Sequence, residues 1–303
     1  MSKKPWSRGR GCCWKKPTDK RSSCKTNKRE APWASLERYD YGVIQAILFD
    51  LDETLILDHP VSLHALRSCA FYAASWYSLD ISRLIQDAEE SALRLWKASP
   101  VFDYAQRIGH SAGEGLWARY ETQTHPALKV LHDWAPAFRV AVWGEALAQQ
   151  DIHDEALSEA LAQRYFAERR LYPRYPEIDQ LLKALSGYKL GIVTNGVPDL
   201  QREKLEGFGL QDRFQAVAVS GELDVGKPER AIFEHICQML GVEPQACVMV
   251  GDNPERDIAG AANAGMKSVW VARGFKDKDP AHPADLEVTN LLQMLPWLEA
   301  LGS

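Results

Sequence analysis

Two aspartates and a threonine stand at alternate positions directly after the first apolar run of the chain. Asp50, Asp52 and Thr54 follow the apolar stretch 43–49. In an extended chain alternate side chains point to the same side, so the spacing predicts that all three share one edge of a sheet. Two carboxylates held this close repel each other unless a cation or a proton separates them. Mg²⁺ prefers carboxylate and carbonyl oxygens and keeps water that a phosphate can replace, which favours a magnesium site over a polar turn with incidental acids.

Three later apolar runs are also followed by side chains that could do chemistry. Thr194 and Asn195 end one run, Asp252 follows another, and Asp257 comes five residues after it. Lys227 precedes a proline at a helix start. Alone, each has an ordinary explanation, because a lysine at a helix start is usually solvated and an aspartate in a first turn offsets the helix dipole. At the ends of parallel strands in one sheet, however, these groups would converge on one crevice.

The elements that must position these side chains follow from the hydrophobic pattern. Apolar runs predict five strands, at 44–49, 190–194, 216–220, 246–250 and 268–272. Segments that begin at a proline and end near a glycine predict helices at 176–187, 198–207, 228–241 and 254–265. This alternation predicts an α/β fold, a Rossmann-like parallel sheet with right-handed crossovers and a ligand crevice at the carboxyl ends of its strands.

Residues 59–170 interrupt the alternation with helical periodicity throughout. This stretch carries five of the ten tryptophans of the chain, and large aromatic side chains at helical spacing usually belong to a core. We therefore predict three parts. They are a basic, disordered tail at 1–42, a Rossmann-like catalytic core made of 43–58 and 171–303, and an inserted all-helical domain at 59–170.

Charge and composition limit the function classes. Residues 1–30 carry 11 Lys and Arg against 2 acidic residues, whereas the rest of the chain carries 25 basic and 39 acidic residues. The tail is too polar to fold alone, and its charge could neutralise the phosphates of a nucleic acid. We expect an ordinary disordered extension without a nucleic-acid partner. A nucleic-acid-associated protein acting through this tail is the competing hypothesis.

The remaining composition points to a reduced, membrane-free environment. The six cysteines show neither metal-ligand spacing nor a disulfide framework, and the start of the chain is basic rather than apolar. No apolar stretch approaches the roughly 20 residues that a membrane span needs. We expect free thiols, no membrane partner and a cytoplasmic location.

Taken together, the motifs resemble those of the haloacid dehalogenase superfamily, whose phosphotransferases use an aspartate nucleophile. They stand here as Asp50-Leu51-Asp52-Glu53-Thr54, Thr194-Asn195-Gly196, Lys227-Pro228 and Gly251-Asp252-Asn253-Pro254-Glu255-Arg256-Asp257. The resemblance runs from residue 44 to about residue 300. It also makes the helical insert similar to the cap domain of the family's first subclass.

The resemblance implies a role for each matching residue. It makes Asp50 the nucleophile that forms an aspartyl-phosphate, and Asp52 the general acid and base. The implied phosphate-binding residues are Thr54, Thr194, Asn195 and Lys227. Of these, Thr194 and Lys227 would also stabilise charge during the transfer. The implied Mg²⁺ ligands are Asp50, the backbone carbonyl of Asp52, Asp252 and Asp257.

The residue at position 52 also separates reactions within the superfamily. Dehalogenases and phosphonate-cleaving members lack an acid there, and mutases typically have Gly-Val where this chain has Glu53-Thr54. The resemblance therefore implies a phosphatase that hydrolyses a small-molecule phosphate monoester.

Two scaffold stretches, 194–206 and parts of 232–252, are similar to N-acylneuraminate-9-phosphatase-like enzymes and to pyrimidine 5′-nucleotidases. The expected partner is a small phosphorylated metabolite, either a sugar phosphate or a nucleotide, and a nucleotide-specific 5′-nucleotidase is the alternative. We expect a monomer or a homodimer. These stretches contact phosphate rather than the leaving group, so specificity must come from the insert.

Three residues of the insert are candidates for contact with the leaving group. Arg139 and Trp143 are four residues apart and so share a helix face, and His110 stands in a loop-like stretch. The alternatives are an arginine lying over a packed indole and an ordinary surface histidine.

Overall fold

The computed structural model describes residues 43–301. The predicted tail at 1–42, and the nucleic-acid hypothesis that depends on it, lie outside this range. Among the described residues, no helix is both long enough and apolar enough to cross a membrane.

Six strands form a single sheet in which every neighbouring pair is parallel. The strands are β1 (Ala46–Phe49), β2 (Lys189–Thr194), β3 (Ala216–Val219), β4 (Cys247–Gly251), β5 (Lys267–Val271) and β6 (Leu286–Val288). Their order is β3-β2-β1-β4-β5-β6. The predicted parallel α/β sheet is confirmed. The sixth strand escapes the hydrophobic pattern because it has only three residues and its middle one, Glu287, is exposed.

Six helices lie between β1 and β2 in the chain. They are α1 (Asp58–Ala74), α2 (Ile81–Lys97), α3 (Phe102–Arg107), α4 (Ala112–Gly115), α5 (Pro126–Ala148) and α6 (Glu155–Glu168). The long ones pack α1 on α6 and α2 on α5 around a separate apolar core. Four of the five tryptophans of the insert pack in or against this core, whereas Trp76 is exposed.

Six further helices alternate with or follow the remaining strands. They are α7 (Ile178–Ala184), α8 (Pro198–Phe208), α9 (Ser220–Leu223), α10 (Arg230–Leu240), α11 (Ala259–Ala264) and α12 (Leu295–Leu301). A π turn at Pro254–Ile258 precedes α11, and 3₁₀ turns form at Gln211–Arg213, Pro244–Ala246 and Leu291–Met294. The helices α8, α10 and α11 each end at a glycine in the left-handed conformation, which satisfies their last carbonyls.

The sheet is covered on both faces, which is why β1 is a continuous buried run of four apolar residues. Side chains from α7, α8 and α12 cover one face, and side chains from α10 and α11 cover the other. The apolar core of the insert also includes Val197 and Leu200 at the start of α8. This helix therefore contacts both the sheet and the insert.

Candidate active site

The central acid of the site stands where β1 ends. Asp50 is the first residue past the strand, and its backbone N–H donates to the carbonyl of Val250 on β4 at 2.9 Å. Because β1 and β4 are neighbours, Asp252 emerges beside Asp50. Both side chains are buried. The strand order thus brings together two carboxylates that are 202 positions apart in the chain.

A third carboxylate comes from the π turn after β4. The side chain of Asp257 accepts a hydrogen bond from the backbone N–H of Asn253 at 3.0 Å. Gly251 makes room for it, since a Cβ at that position would collide with the Asp257 carboxyl group. One carboxylate oxygen from each of Asp50, Asp252 and Asp257 lies within 4.8 Å of the others. The three oxygens could share one cation.

The electrostatics of this group favour a cation. Burial, reinforced by the neighbouring aspartates, raises the pKa of Asp252 to about 9. Burial also raises the pKa of Asp257 to about 6, although Lys227 opposes the shift. Three buried carboxylates cannot all ionise cheaply without a compensating positive charge. The all-oxygen donor set fits Mg²⁺.

Lys227 provides one positive charge at this place. Its Nζ lies 2.5 Å from Asp50 Oδ1 and 2.7 Å from Asp257 Oδ1. Burial works against its charged form, but the two carboxylates outweigh burial and hold the pKa of Lys227 above its usual range. We call Lys227, Asp50, Asp252 and Asp257 the Lys227 cluster.

The backbone of Lys227 is fixed by a side chain from the end of β2. Asn195 Nδ2 donates to the Lys227 carbonyl at 3.0 Å, and the Lys227 N–H donates to Asn195 Oδ1 at 2.8 Å. The amide group of Asn195 is thus engaged with protein backbone. Asn195 could therefore bind phosphate, as predicted, only through its main chain. Its side chain fixes the backbone of Lys227 instead.

Asp52 belongs to a different group of charges. Its Oδ2 lies 2.8 Å from Nζ of Lys204, a lysine on α8 that also lies 3.0 Å from Glu114 of the insert and 3.7 Å from Asp58. Burial raises the pKa of Asp52 to about 8, with Lys204 opposing the shift and the other carboxylates adding to it. We call Lys204, Asp52, Asp58 and Glu114 the Lys204 cluster.

Thr194 ends β2 inside the cleft and is buried. Its hydroxyl donates to Gln201 Oε1 at 3.0 Å, and Gln201 Nε2 donates to Glu114 Oε1 at 2.8 Å. The hydrogen bond to Gln201 uses the only proton of the hydroxyl, so the predicted contact with a phosphate oxygen, which is itself an acceptor, requires the hydroxyl to turn from Gln201 toward the cleft.

The structure does not place Thr54 with the other two members of its motif. The strand ends at Phe49, and the chain turns over 51–56, with Glu53 in the left-handed conformation and the Leu55 N–H bonded to the Leu51 carbonyl. Thr54 is fully buried and does not line the cleft. The expectation that it faces the same side as Asp50 and Asp52 is wrong, because the alternation of an extended chain stops where the turn begins.

A cleft of about 460 Å³ opens between the strand ends and the insert. Most of the polar core side chains named above line it, the exceptions being Thr54, Gln201 and Lys204, which are fully buried. The insert contributes His59, Gly109, Ser111 and Glu114, and the core also contributes the ionisable side chains of Arg256 and Lys276. The cleft therefore carries both signs of charge around the acids.

Two of the three predicted specificity residues lie away from this cleft. Trp143 is fully buried in the core of the insert. Arg139 donates to the backbone carbonyls of Gly115 and Ala118 and lines a separate groove on the insert. The two residues are both on α5, but the structure does not bring either of them to the cleft.

His110 lies behind the cleft wall. It is buried, so the alternative interpretation as a surface histidine is wrong. Its Nε2 lies 2.8 Å from the Tyr120 hydroxyl, and its Nδ1 lies 3.3 Å from Glu114 Oε2. It supports Glu114, which does line the cleft.

Sequence reasoning missed Lys204, Gln201 and Glu114, although signals for them exist. Gln201 and Lys204 are three residues apart on the face of α8 that also buries Leu200, Leu205 and Phe208. Two polar residues on an otherwise apolar helix face need buried partners. Ser111 and Glu114 form a capping box at the start of α4, with the spacing expected of that motif.

The family model for haloacid dehalogenase-like hydrolases matches residues 44–265. The chain belongs to this family. The match spans β1, the insert and the sheet through α11, and so includes every residue of the Lys227 and Lys204 clusters.

Curated relatives identify the chain as a phosphatase. It is 41% identical to the phosphoserine phosphatase of Thermus thermophilus over 253 residues, which is 83% of this chain and 98% of that protein. It is 34% identical to a pyrimidine 5′-nucleotidase of Escherichia coli over 61% of this chain and 77% of that protein. It is 38% identical to the N-acylneuraminate-9-phosphatase of Rattus norvegicus over 44% of this chain and 56% of that protein. The predicted likeness to the last two groups is confirmed.

Proposed function

We propose that this phosphatase is Mg²⁺-dependent and hydrolyses a small phosphate monoester through an aspartyl-phosphate. The observation that carries the proposal is the separation of the two motif aspartates. Asp50 lies against Lys227 among the metal-binding acids, whereas Asp52 lies against Lys204. One carboxylate is thereby set up as a nucleophile and the other as a proton carrier.

In the first step, an oxygen of Asp50 attacks phosphorus, the bond from phosphorus to the leaving oxygen breaks, and Asp52 donates a proton to that oxygen. In the second step, water attacks the phosphoryl group, Asp52 takes its proton, and the bond from phosphorus to Asp50 breaks. Lys227 and Thr194 bind the non-bridging oxygens in both steps and stabilise their charge.

The residues of the Lys227 cluster fit a magnesium ion. Asp50, Asp252 and Asp257 would hold it with carboxylate oxygens, and Asp52 would contribute its backbone carbonyl. Bound there, Mg²⁺ would reduce the repulsion between the anionic nucleophile and the anionic substrate.

The first substrate to consider is phosphoserine. Support comes from the relative in Thermus thermophilus, which is similar over 98% of its length. Support also comes from the cleft wall, where Glu255 could face an ammonium group and Arg256 and Lys276 could face a carboxylate. A leaving group that carries both charges suits a wall of this kind better than an uncharged sugar does.

The competing substrates are the sugar phosphates and nucleotides expected from the sequence. The identity with a pyrimidine 5′-nucleotidase favours nucleotides as the second candidate. These substrates differ from phosphoserine only beyond the phosphate, so one panel separates them.

The deciding experiment is phosphate release from phosphoserine, nucleoside monophosphates, sugar phosphates and phosphoglycolate, with and without EDTA. We expect Asp50→Asn to lower kcat at least about 1,000-fold and added Mg²⁺ to reverse the loss caused by EDTA. Asp133→Asn, an exposed aspartate on α5, is the matched control and should retain full activity. Substantial turnover by Asp50→Asn would contradict the assignment of Asp50 as the nucleophile. Full activity in EDTA would contradict the dependence on Mg²⁺.

We also propose that residues 59–170 act as a cap over the core formed by 43–58 and 171–303. The separate apolar core of the insert supports this division. A cytoplasmic location and a monomeric or homodimeric state stay predictions, and cell fractionation and sedimentation would test them.

A further inference from the structure

Lys204 is a charged residue in an unusual place. It lies on α8, and its side chain is fully buried. Burial of an ammonium group is expensive unless carboxylates surround it. The carboxylates that surround Lys204 offset this cost.

The ammonium of Lys204 holds one particular oxygen of Asp52. Nζ lies 2.8 Å from Asp52 Oδ2, within hydrogen-bond distance. The other oxygen, Oδ1, is buried and has no hydrogen-bond partner among the described residues. Asp52 lines the cleft. The lysine therefore fixes the carboxyl group by one oxygen and leaves the second oxygen for a ligand.

Lys204 is itself held from the insert. Glu114 Oε1 lies 3.0 Å from Nζ and also accepts from Gln201, one turn earlier on α8. Glu114 Oε2 accepts from both the backbone N–H and the hydroxyl of Ser111 at 3.0 Å. Every link in this chain is a hydrogen bond between named atoms, so the ammonium has little freedom to leave Asp52.

We propose that Lys204 is a positioning residue that orients Asp52 toward the leaving oxygen of the substrate. The inference rests on the proposed function, because it assigns Lys204 a part in the proton transfer carried out by Asp52. Lys204 acts through Asp52 and does not contact the phosphoryl group. Its importance should therefore depend on how much the leaving group needs a proton.

Phenyl phosphate and 4-nitrophenyl phosphate test this dependence, because they have similar shapes but different leaving groups. Phenolate is the stronger base and needs the proton more than 4-nitrophenolate does. We expect Lys204→Met to lower kcat/KM, which reports the step that expels the leaving group, about 100-fold on phenyl phosphate and less than about tenfold on 4-nitrophenyl phosphate. Lys204→Arg keeps the positive charge and should lose less activity on phenyl phosphate than Lys204→Met does. Lys183→Met, which replaces an exposed lysine on α7, should leave the rates on both esters unchanged.

Glu114→Gln provides a second variant that preserves shape if Lys204→Met does not fold. It weakens one anchor of the lysine, and we expect a selective loss of about 3- to 10-fold on phenyl phosphate. A double-mutant cycle adds a further check, since Lys204→Met should cost nothing more in an Asp52→Asn background.

The possible results distinguish a failure of this inference from a failure of the proposed function. Wild-type protein that releases phosphate neither from these esters nor from any substrate of the panel overturns both. If the wild type is active but Lys204→Met or Glu114→Gln loses the same factor on both esters, the inference alone is overturned. A further loss in the Asp52→Asn background also overturns it.

Discussion

Two lysine-centred clusters border the same cleft and are built from different parts of the chain. The Lys227 cluster consists of residues at the ends of β1 and β4, in the turn after β4 and in the turn before α10. The Lys204 cluster combines Asp52 and Asp58 with a lysine of α8 and with Glu114 of the insert. Both lysines are buried and both contact two carboxylates at 3.0 Å or less.

The difference between them indicates a division of labour. Lys227 touches Asp50, so in the proposed mechanism it acts where phosphorus is attacked, a step common to every phosphate ester. Lys204 touches Asp52, so in the same mechanism it acts on the proton transfer to the leaving group, whose need for a proton differs from one ester to the next. The proposed mechanism thus assigns to the cluster that includes Glu114 of the insert the part of the chemistry that depends on the substrate.

Lys227→Met is expected to give the larger effect of the two lysine variants. Removing it takes away a charge that stabilises the transferring phosphoryl group, and we expect kcat to fall about 100- to 1,000-fold. Because the two esters carry the same phosphoryl group and differ only in the leaving group, the loss should be the same on phenyl phosphate and on 4-nitrophenyl phosphate. Steady-state rates on the two esters check this.

The matched control is again Lys183→Met, which replaces an exposed lysine on α7. A strong dependence of the Lys227→Met loss on the leaving group would contradict the comparison, because both lysines would then act on the same step.

The two clusters also differ in how far the sequence predicts them. Asp50, Thr194 and Asp252 lie at strand ends, Asp257 lies in the turn that leads into α11, and Lys227 lies in the turn before α10. The pattern of apolar runs and helix starts therefore locates them without any tertiary information. A parallel sheet brings its carboxyl ends to one edge, and strand order then brings these side chains together. The same logic failed for Thr54, where a local turn replaces the extended chain.

The Lys204 cluster depends on contacts that no local pattern encodes. Lys204 and Glu114 are 90 positions apart, and they meet only because α8 packs against the insert. The sequence shows that Lys204 shares the apolar face of α8 and that Glu114 belongs to a capping box, but it does not show that the two residues meet. Residue type and local spacing predict Arg139, Trp143 and His110, but neither property reveals which side of a helical domain faces the cleft.

Magnesium should stabilise the protein through the Lys227 cluster alone, and more at high pH than at low pH. The pKa values of Asp252 and Asp257 are raised to about 9 and about 6 in the folded protein, against 3.8 for an ordinary aspartate. Without metal, folding therefore favours the protonated forms, and stability falls as pH rises from about 4 through these values. Mg²⁺ binds the ionised forms, so its benefit grows over the same range.

We expect saturating Mg²⁺ to raise Tm by about 5–10 °C at pH 8 and by less than half of that at pH 5.5. Asp252→Asn should abolish the shift, whereas Glu114→Gln, a change of the same kind in the Lys204 cluster, should retain it. Thermal melts at the two pH values provide the measurement. An equal shift at both pH values would contradict the raised pKa values of Asp252 and Asp257, and loss of the shift in Glu114→Gln would show that the two clusters are not separate.

The smallest effect on catalysis is expected inside the insert, at Trp143. This side chain is fully buried, and its indole N–H has no hydrogen-bond partner among the described residues. Trp143→Phe leaves a cavity but also removes the unpaired donor, so we expect the free energy of unfolding to fall by only about 1–2 kcal/mol. KM for the best substrate should stay within twofold, because the residue does not line the cleft. Denaturant titration and steady-state kinetics measure both quantities. A fivefold rise in KM without loss of stability would place specificity in the interior of the insert rather than at its cleft-facing edge.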